Sequence, residues 1–526
     1  MGLKTSILLI LMGALLACSQ QPEVRISQGR LLGLQERVGR CWVEAFLSVP
    51  YAQPPLGPLR FAKPEPAGEF SDVLNATQLP PGCPQTTLHI FDRLGTPSDR
   101  SVKIVSTSTS GDPVELGNCP SWCGSTVLLA TEGNVVVVTV NYRVGSFGFL
   151  TAGIEDAPGN MGLYDQTLAL EWVRDNVAAF GGNPNMVTIF GQSAGASSVA
   201  YHMISPLSEG LFHRGILESG SSFIPIVHQD VQSGINLTDI LAQRLGCAQP
   251  DQTIATDPAT ILECLRSTEP ERFAELEYTM MKDEYLSFIP VVGEEFIPID
   301  NFVNQRANHT KDIDIMIGFS EKEGTYLLFY LFPNVNIEDP ERMLTRNETI
   351  DLATRVMEMK GRMTLPDNLM DIYFAGVGDE DKIRVREVFA EIIGDWFFLC
   401  PGLIFADRQH ALNPDILFYM FTYQSSVPTA LPSWLGPTHF EEVPFVYGLP
   451  LEPDSPYKTT EKAFSIRLMK LWGDYAAGRN PHWHRYRPES GAVTNLHPSK
   501  FGQVDVPRAQ RCYDLWRPYF LAMYRD

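Results

Sequence analysis

Basic residues are scarce in this chain. There are 41 lysines and arginines against 62 aspartates and glutamates, a formal charge of -21. Coulomb repulsion at that charge opposes binding to phosphate backbones or to anionic lipid surfaces, so nucleic-acid and membrane-surface partners are excluded. Long apolar runs are scarce too. The first twenty residues, "MGLKTSILLILMGALLACSQ", carry one stretch from Ile7 to Leu16 behind a single lysine, and small residues follow it. That is the pattern of a secretory signal over residues 1–20, and it is too short to span a bilayer comfortably. No second run of spanning length follows, and the end "YFLAMYRD" has no hydrophobic tail for a lipid anchor. Internal repeats are absent, and the one low-complexity patch is "STSTSG", residues 106–111. Cysteine is sparse: of nine, Cys18 falls in the signal, which leaves eight for an oxidising compartment. "LLAC" ending at Cys18 also resembles a bacterial lipoprotein cleavage box, but N-x-S/T acceptors at Asn75, Asn236, Asn308 and Asn347 fit a glycosylated secreted protein better.

What is present is the material of a soluble globular protein: 526 residues, 44% hydrophobic and 20% charged. The proline-rich stretch 49–66 reads as an ordered surface loop. Residues 135–140 form a continuous run of strand-forming residues suited to a strand covered on both faces. An amphipathic helix is predicted over 165–177, with Leu168, Trp172 and Val173 on one face. Val187–Phe190 reads as a strand, a small-residue helix follows it, and 214–220 reads as a further strand. Strands alternating with helices predict an α/β protein with a doubly wound, mostly parallel sheet. Helical segments are predicted at 378–399 and 461–477, and no linker divides the chain, so residues 21–526 read as one large domain.

Within this pattern lies "VTIFGQSAGASSV", residues 187–199. Ser193 sits between Gly191 and Gly195, the spacing of a nucleophile held on a tight strand-to-helix turn, where side chains at the flanking positions would collide with backbone. A chain of this length contains one G-x-S-x-G by accident roughly one time in five, so the motif alone does not separate a nucleophile from a structural turn. Its position after a strand and before a helix favours the nucleophile. A serine hydroxyl needs a base to take its proton and an acid to orient that base, and in such folds the chain order is Ser, then Asp or Glu, then His. The loop after the strand-like run ending at Gly318 offers Glu321 and Glu323, and the residues themselves do not choose between them. Five histidines follow: His410, His439, His482, His484 and His497. His439 lies in a Gly-Pro loop able to present a side chain to a cleft. His482 and His484 form an H-x-H pair with no third ligand in view, so no metal is expected.

These segments resemble the type B carboxylesterase and cholinesterase family of α/β-hydrolases. The resemblance is carried by "SVPYAQPPLGPLRFAKPEP", "VVVVTVNYRVGSFGFL", "APGNMGLYDQTLALEWVRDNVAAFGGNPNMVTIFGQSAG", "GLFHRGILESGS", "GFSEKEGTY" and "WLGPTHFEEVPFVYGLPL", in order. It implies Ser193 as nucleophile, His439 as base and Glu323 rather than Glu321 as the orienting acid. It also implies disulfides Cys247–Cys264 and Cys400–Cys512, which a chain-entropy model values at roughly 3 and about 4 to 5 kcal/mol. The expected activity is hydrolysis of small carboxylic esters through an acyl-enzyme, with no metal or organic cofactor.

Departures from the family pattern modify that expectation. Where the family has a Gly-Gly-Gly-Phe loop supplying oxyanion N–H donors, this chain reads "VKIVSTSTSGDPVELGNCPSWCGSTV", with no glycine pair. Ala194 keeps its N–H, and the other donors would have to come from residues 106–112. The segment after Cys83 that carries the family's disulfide partner and its choline-binding aromatic residue is missing, leaving Cys41, Cys119 and Cys123 as remaining partners for Cys83. Gln192 precedes the serine where the family usually has Glu, and Ile226 stands at the acyl-pocket tryptophan of cholinesterases. These changes point away from choline esters and towards neutral ones. The alternative is a catalytically impaired, cholinesterase-like binding protein.

Overall fold

Strands covered on both faces must be apolar on both, and here successive residues of each central strand feed opposite cores. The computed structural model describes residues 21–38, 41–78, 103–107, 112–117, 126–284, 288–332, 343–358, 368–427, 432–488, 491–506 and 508–523. Eleven strands form one sheet: β1 (Leu34–Val38), β2 (Cys41–Leu47), β3 (Lys103–Thr107), β4 (Asp112–Gly117), β5 (Val136–Thr139), β6 (Gly182–Gln192), β7 (Arg214–Glu218), β8 (Asp314–Ser320), β9 (Ile416–Phe421), β10 (Ala492–Leu496) and β11 (Gly502–Asp505). Their spatial order is β11-β10-β9-β8-β7-β6-β4-β5-β3-β2-β1. From β10 across to β5 the pairs are parallel. β1, β2, β3 and β11 add antiparallel edges. Ile189, Leu217, Ile317 and Phe418 pack into one core, and their neighbours Phe190, Ile216, Met316 and Leu417 pack into the other.

Helices cover both faces: α1 (Thr126–Gly133), α2 (Met161–Asn176), α3 (Ala194–Ile204), α4 (Glu323–Leu331), α5 (Lys382–Gly394), α6 (Cys400–His410) and α7 (Thr459–Ala476). The predicted doubly wound sheet in a single domain is therefore present. The predicted strand at 187–190 is the last part of the longer β6, and the helix predicted from Asp165 begins four residues earlier, at Met161. Residues Lys382–His410 are long and apolar enough to cross a membrane by length and composition, yet they are almost wholly buried as a core element.

One expectation is corrected by the topology. β3 runs antiparallel to β5, with Val105 opposite Val137, and Asp112 opens β4 opposite Gly182, the first residue of β6. Ser106, Thr107 and Asp112 thus lie at the amino ends of the parallel strands, whereas Ser193 lies just past a carboxyl end. Ser106, Thr107 and Asp112 are therefore separated from Ser193 by the length of β6 and do not supply oxyanion donors, while residues 108–111 lie outside the described residues. The chain leaves the carboxyl end of β4 after Gly117, which is opposite Phe190. Residues 118–125, which follow, lie outside the described residues, as do residues 1–20, Cys83, Cys119 and Cys123.

The structure joins Cys247 to Cys264 and Cys400 to Cys512, with Cα separations of 5.5 and 4.9 Å. A π-helical turn, Asp395–Leu399, links α5 to α6, and Asp395 is completely buried in it. Its carboxylate accepts from Arg508 Nε at 2.9 Å and from the Tyr373 hydroxyl at 2.7 Å, while Arg511 lies 3.6 Å away. Removing one member of a buried ion pair leaves the other uncompensated. Asp395→Ala should therefore lower stability by about 3 to 5 kcal/mol, read from the urea midpoint. An unchanged midpoint would show that this cluster contributes no net stability.

Candidate active site

Ser193 stands at the N-cap of α3, directly after β6, with φ 58° and ψ -117°. A non-glycine residue with positive φ is strained, and such strain persists only where the surroundings enforce it. Here they do so from both sides. A Cβ on Gly191 would lie 2.4 Å from the carbonyl carbon of Gly195, and one on Gly220 would lie 2.5 Å from the carbonyl oxygen of Ser193. The Ser193 N–H donates to the Glu218 carbonyl at 2.8 Å, tying the turn to the end of β7. A serine at an N-cap ordinarily spends its hydroxyl on the first helical N–H groups, but here the side chain makes no cap hydrogen bond, and Oγ stays available. The residue is partly exposed and Ala194, the next, is exposed.

Glu323 is the first residue of α4, just beyond β8, and it is buried. One carboxylate oxygen accepts from the Ser320 N–H at 2.7 Å and from the Ser219 hydroxyl at 2.6 Å. The other is 2.6 Å from His439 Nδ1. A carboxylate accepts, so Nδ1 carries the proton and the lone pair of the ring is on Nε2. The His439 loop is fastened to the Glu323 loop by the Lys322 N–H on the Pro437 carbonyl (2.9 Å) and by Thr325, whose hydroxyl reaches the Leu435 carbonyl and the Thr438 hydroxyl, each at 2.8 Å. Phe398 from the π turn, Phe440 and Tyr326 pack around the imidazole, with ring centres 4.5, 4.4 and 5.6 Å away.

The rival residues lie elsewhere. The Glu321 N–H is bound to the Phe421 carbonyl. His497 meets Tyr423 edge to face, and His410 meets Arg487. His482 and His484 follow α7 in the chain, and among the described residues no three His, Cys, Asp or Glu side chains gather into a metal-sized cluster. Ile226 lies in the loop after β7, packed against the larger core.

Three features escaped the sequence. The amide Nε2 of Gln192 lies 3.2 Å from His439 Nε2, a contact that no spacing announces. Ser219 and Ser320, which hold Glu323, stand at the carboxyl ends of neighbouring strands, a position that could have marked them. Behind the site, Glu218 and Glu442 are both buried carboxyls. Glu218 accepts from Trp472 Nε1 at 2.7 Å, and Glu442 takes one bond, from Ser320 Oγ at 3.4 Å. Burial pushes Glu218 up to about 7, against the pull of the Trp472 N–H. Burial, with the charges of Glu218 and Glu323, holds Glu442 well above the usual carboxylate range.

A doubly wound sheet with a serine on an enforced turn after its central strand defines an α/β-hydrolase. The chain belongs to the carboxylesterase family, whose family model matches residues 20–98 and 113–515. It is 34% identical over 535 residues to the cholinesterase of Mus musculus, covering 94% of this chain and 86% of that protein. It is 31% identical over 537 residues to acetylcholinesterase-1 of Trittame loki, covering 95% and 94%. Membership supports an esterase-type hydrolase, a class that acts on small-molecule esters.

A carboxyl whose folded value is raised contributes stability below its ordinary value and loses that contribution as pH rises through the folded one. For Glu218 the window runs from 4.5 to about 7. Denaturant midpoints should fall across that window in the wild type and fall less in Glu218→Gln. Equal slopes would mean that Glu218 holds no proton in the folded state.

Proposed function

We propose that this protein is a secreted serine carboxylesterase that hydrolyses neutral esters through Ser193, His439 and Glu323. The observation that carries this reading is the buried 2.6 Å contact between His439 Nδ1 and Glu323, which leaves the imidazole's other nitrogen, Nε2, beside Gln192, the residue before Ser193. Ser193 Oγ attacks the ester carbonyl while His439 Nε2 takes its proton. The same proton passes to the departing alcohol. Water then attacks the acyl-enzyme with His439 again as base, and Glu323 stabilises the imidazolium in each half-reaction. The tetrahedral oxyanion receives the Ala194 N–H at the start of α3. No metal or organic cofactor takes part.

The names of the two relatives point to choline esters, but Gln192 and Ile226 argue for uncharged substrates. The absence of a glycine pair in "NCPSWCGS", residues 118–125, favours a second reading in which the turn is intact but turnover is slow, and the surface serves as a binding module. The discriminating measurement is hydrolysis of a short-chain aryl ester together with stoichiometric labelling by an organophosphonate. Ser193→Ala should abolish labelling and lower kcat by at least about 10,000-fold, and Glu323→Gln should cost about 10,000-fold. Wild type that neither turns over nor labels would overturn the esterase reading in favour of the binding module.

Secretion is supported by the two disulfides and by the exposure of Asn75, Asn236, Asn308 and Asn347. At Asn75 the Thr77 hydroxyl donates to the asparagine side chain at 2.7 Å. Expression in a eukaryotic secretory host should give a protein cleaved near residue 20 that loses mass on N-glycosidase treatment. An intracellular, unmodified product would refute secretion.

A further inference from the structure

Gln192 is the last residue of β6 and immediately precedes Ser193. It lies in register opposite Glu218 of β7. Its amide nitrogen is a donor and His439 Nε2 is an acceptor, since Nδ1 carries the ring proton towards Glu323, so the 3.2 Å contact is a hydrogen bond from Gln192 to the base. The lone pair used by this bond is the one that would take the proton of Ser193. The Ser193 hydroxyl forms no hydrogen bond to any described residue. The other end of the amide, Oε1, is buried and has no partner among the described residues. A buried carbonyl oxygen left unpaired is costly, so the amide is held in this place by a single bond, and a donor arriving with substrate can draw it away.

The geometry points to Gln192 as a positioning residue that occupies the proton-accepting nitrogen of His439 between turnovers and yields it to Ser193 when substrate enters. This rests on the esterase reading and deepens it. Only hydrogen bonds change at Gln192: its N–H leaves Nε2, the Ser193 O–H replaces it, and the proton then follows the route described above. A glutamate at this position carries no N–H to give the base, so the occupied resting state belongs to the glutamine of this chain.

The test compares wild type with Gln192→Met, which keeps the length of the side chain without the donor, and with Gln192→Asn, whose amide is too short to reach. Retained thermal unfolding midpoints show that the variants fold. At pH 8 both should label with an organophosphonate roughly fivefold faster than wild type, the size of one ordinary net hydrogen bond released from the base. kcat/KM for an aryl ester should rise with them. A purely structural role for Gln192 would move both quantities down. Variants that label at the wild-type rate or more slowly overturn the assignment and leave the esterase reading standing. A wild type that does not label at all overturns both.

Discussion

The arrangement at the carboxyl rim depends on one buried hydrogen bond, that between His439 and Glu323. Two loops separated by more than a hundred residues meet there, and a carboxylate withdrawn from water is tolerable only because each of its oxygens is matched by a donor: Ser219 and Ser320 on one, the imidazole on the other. The aromatic rings of Phe398, Phe440 and Tyr326 exclude water from the pair and limit the positions the imidazole can take. Remove the carboxylate and the ring has neither a fixed tautomer nor a fixed orientation.

The same rim supplies the strain at Ser193. Its backbone is held in an unfavourable conformation by the close approach of β6, α3 and the loop after β7, which only glycine at 191 and 220 permits. β7 also presents its Glu218 carbonyl to the Ser193 N–H, while the side chain of that glutamate points into a buried acidic group with Glu442. A turn held by backbone contacts from two neighbouring strands keeps its geometry without using the serine hydroxyl, and that leaves the hydroxyl for chemistry.

Much of this was legible in the chain. The alternation of strands and helices, the elbow spacing around Ser193, and the apolar runs of β5 and β6 all follow from local pattern, because strands covered on both faces and tight turns constrain residue type position by position. The disulfide pairs followed from family likeness and not from spacing. The expectation for the oxyanion region failed at Ser106 and Thr107, because the antiparallel pairing of β3 with β5 puts them at the opposite end of the sheet. Strand direction is a property of pairing, and a single segment does not carry it.

The sequence by itself determined the class of sheet, the strained position of Ser193, the acidic surface and the short list of acids and bases, since each rests on composition or on residues close together in the chain. Family likeness named His439 and Glu323, but only the tertiary structure brings these two side chains into contact and brings Gln192 to the base. The two side-chain hydrogen bonds of His439 span 116 and 247 positions of the chain. They are set by the crossovers of the sheet, where no local periodicity records the outcome.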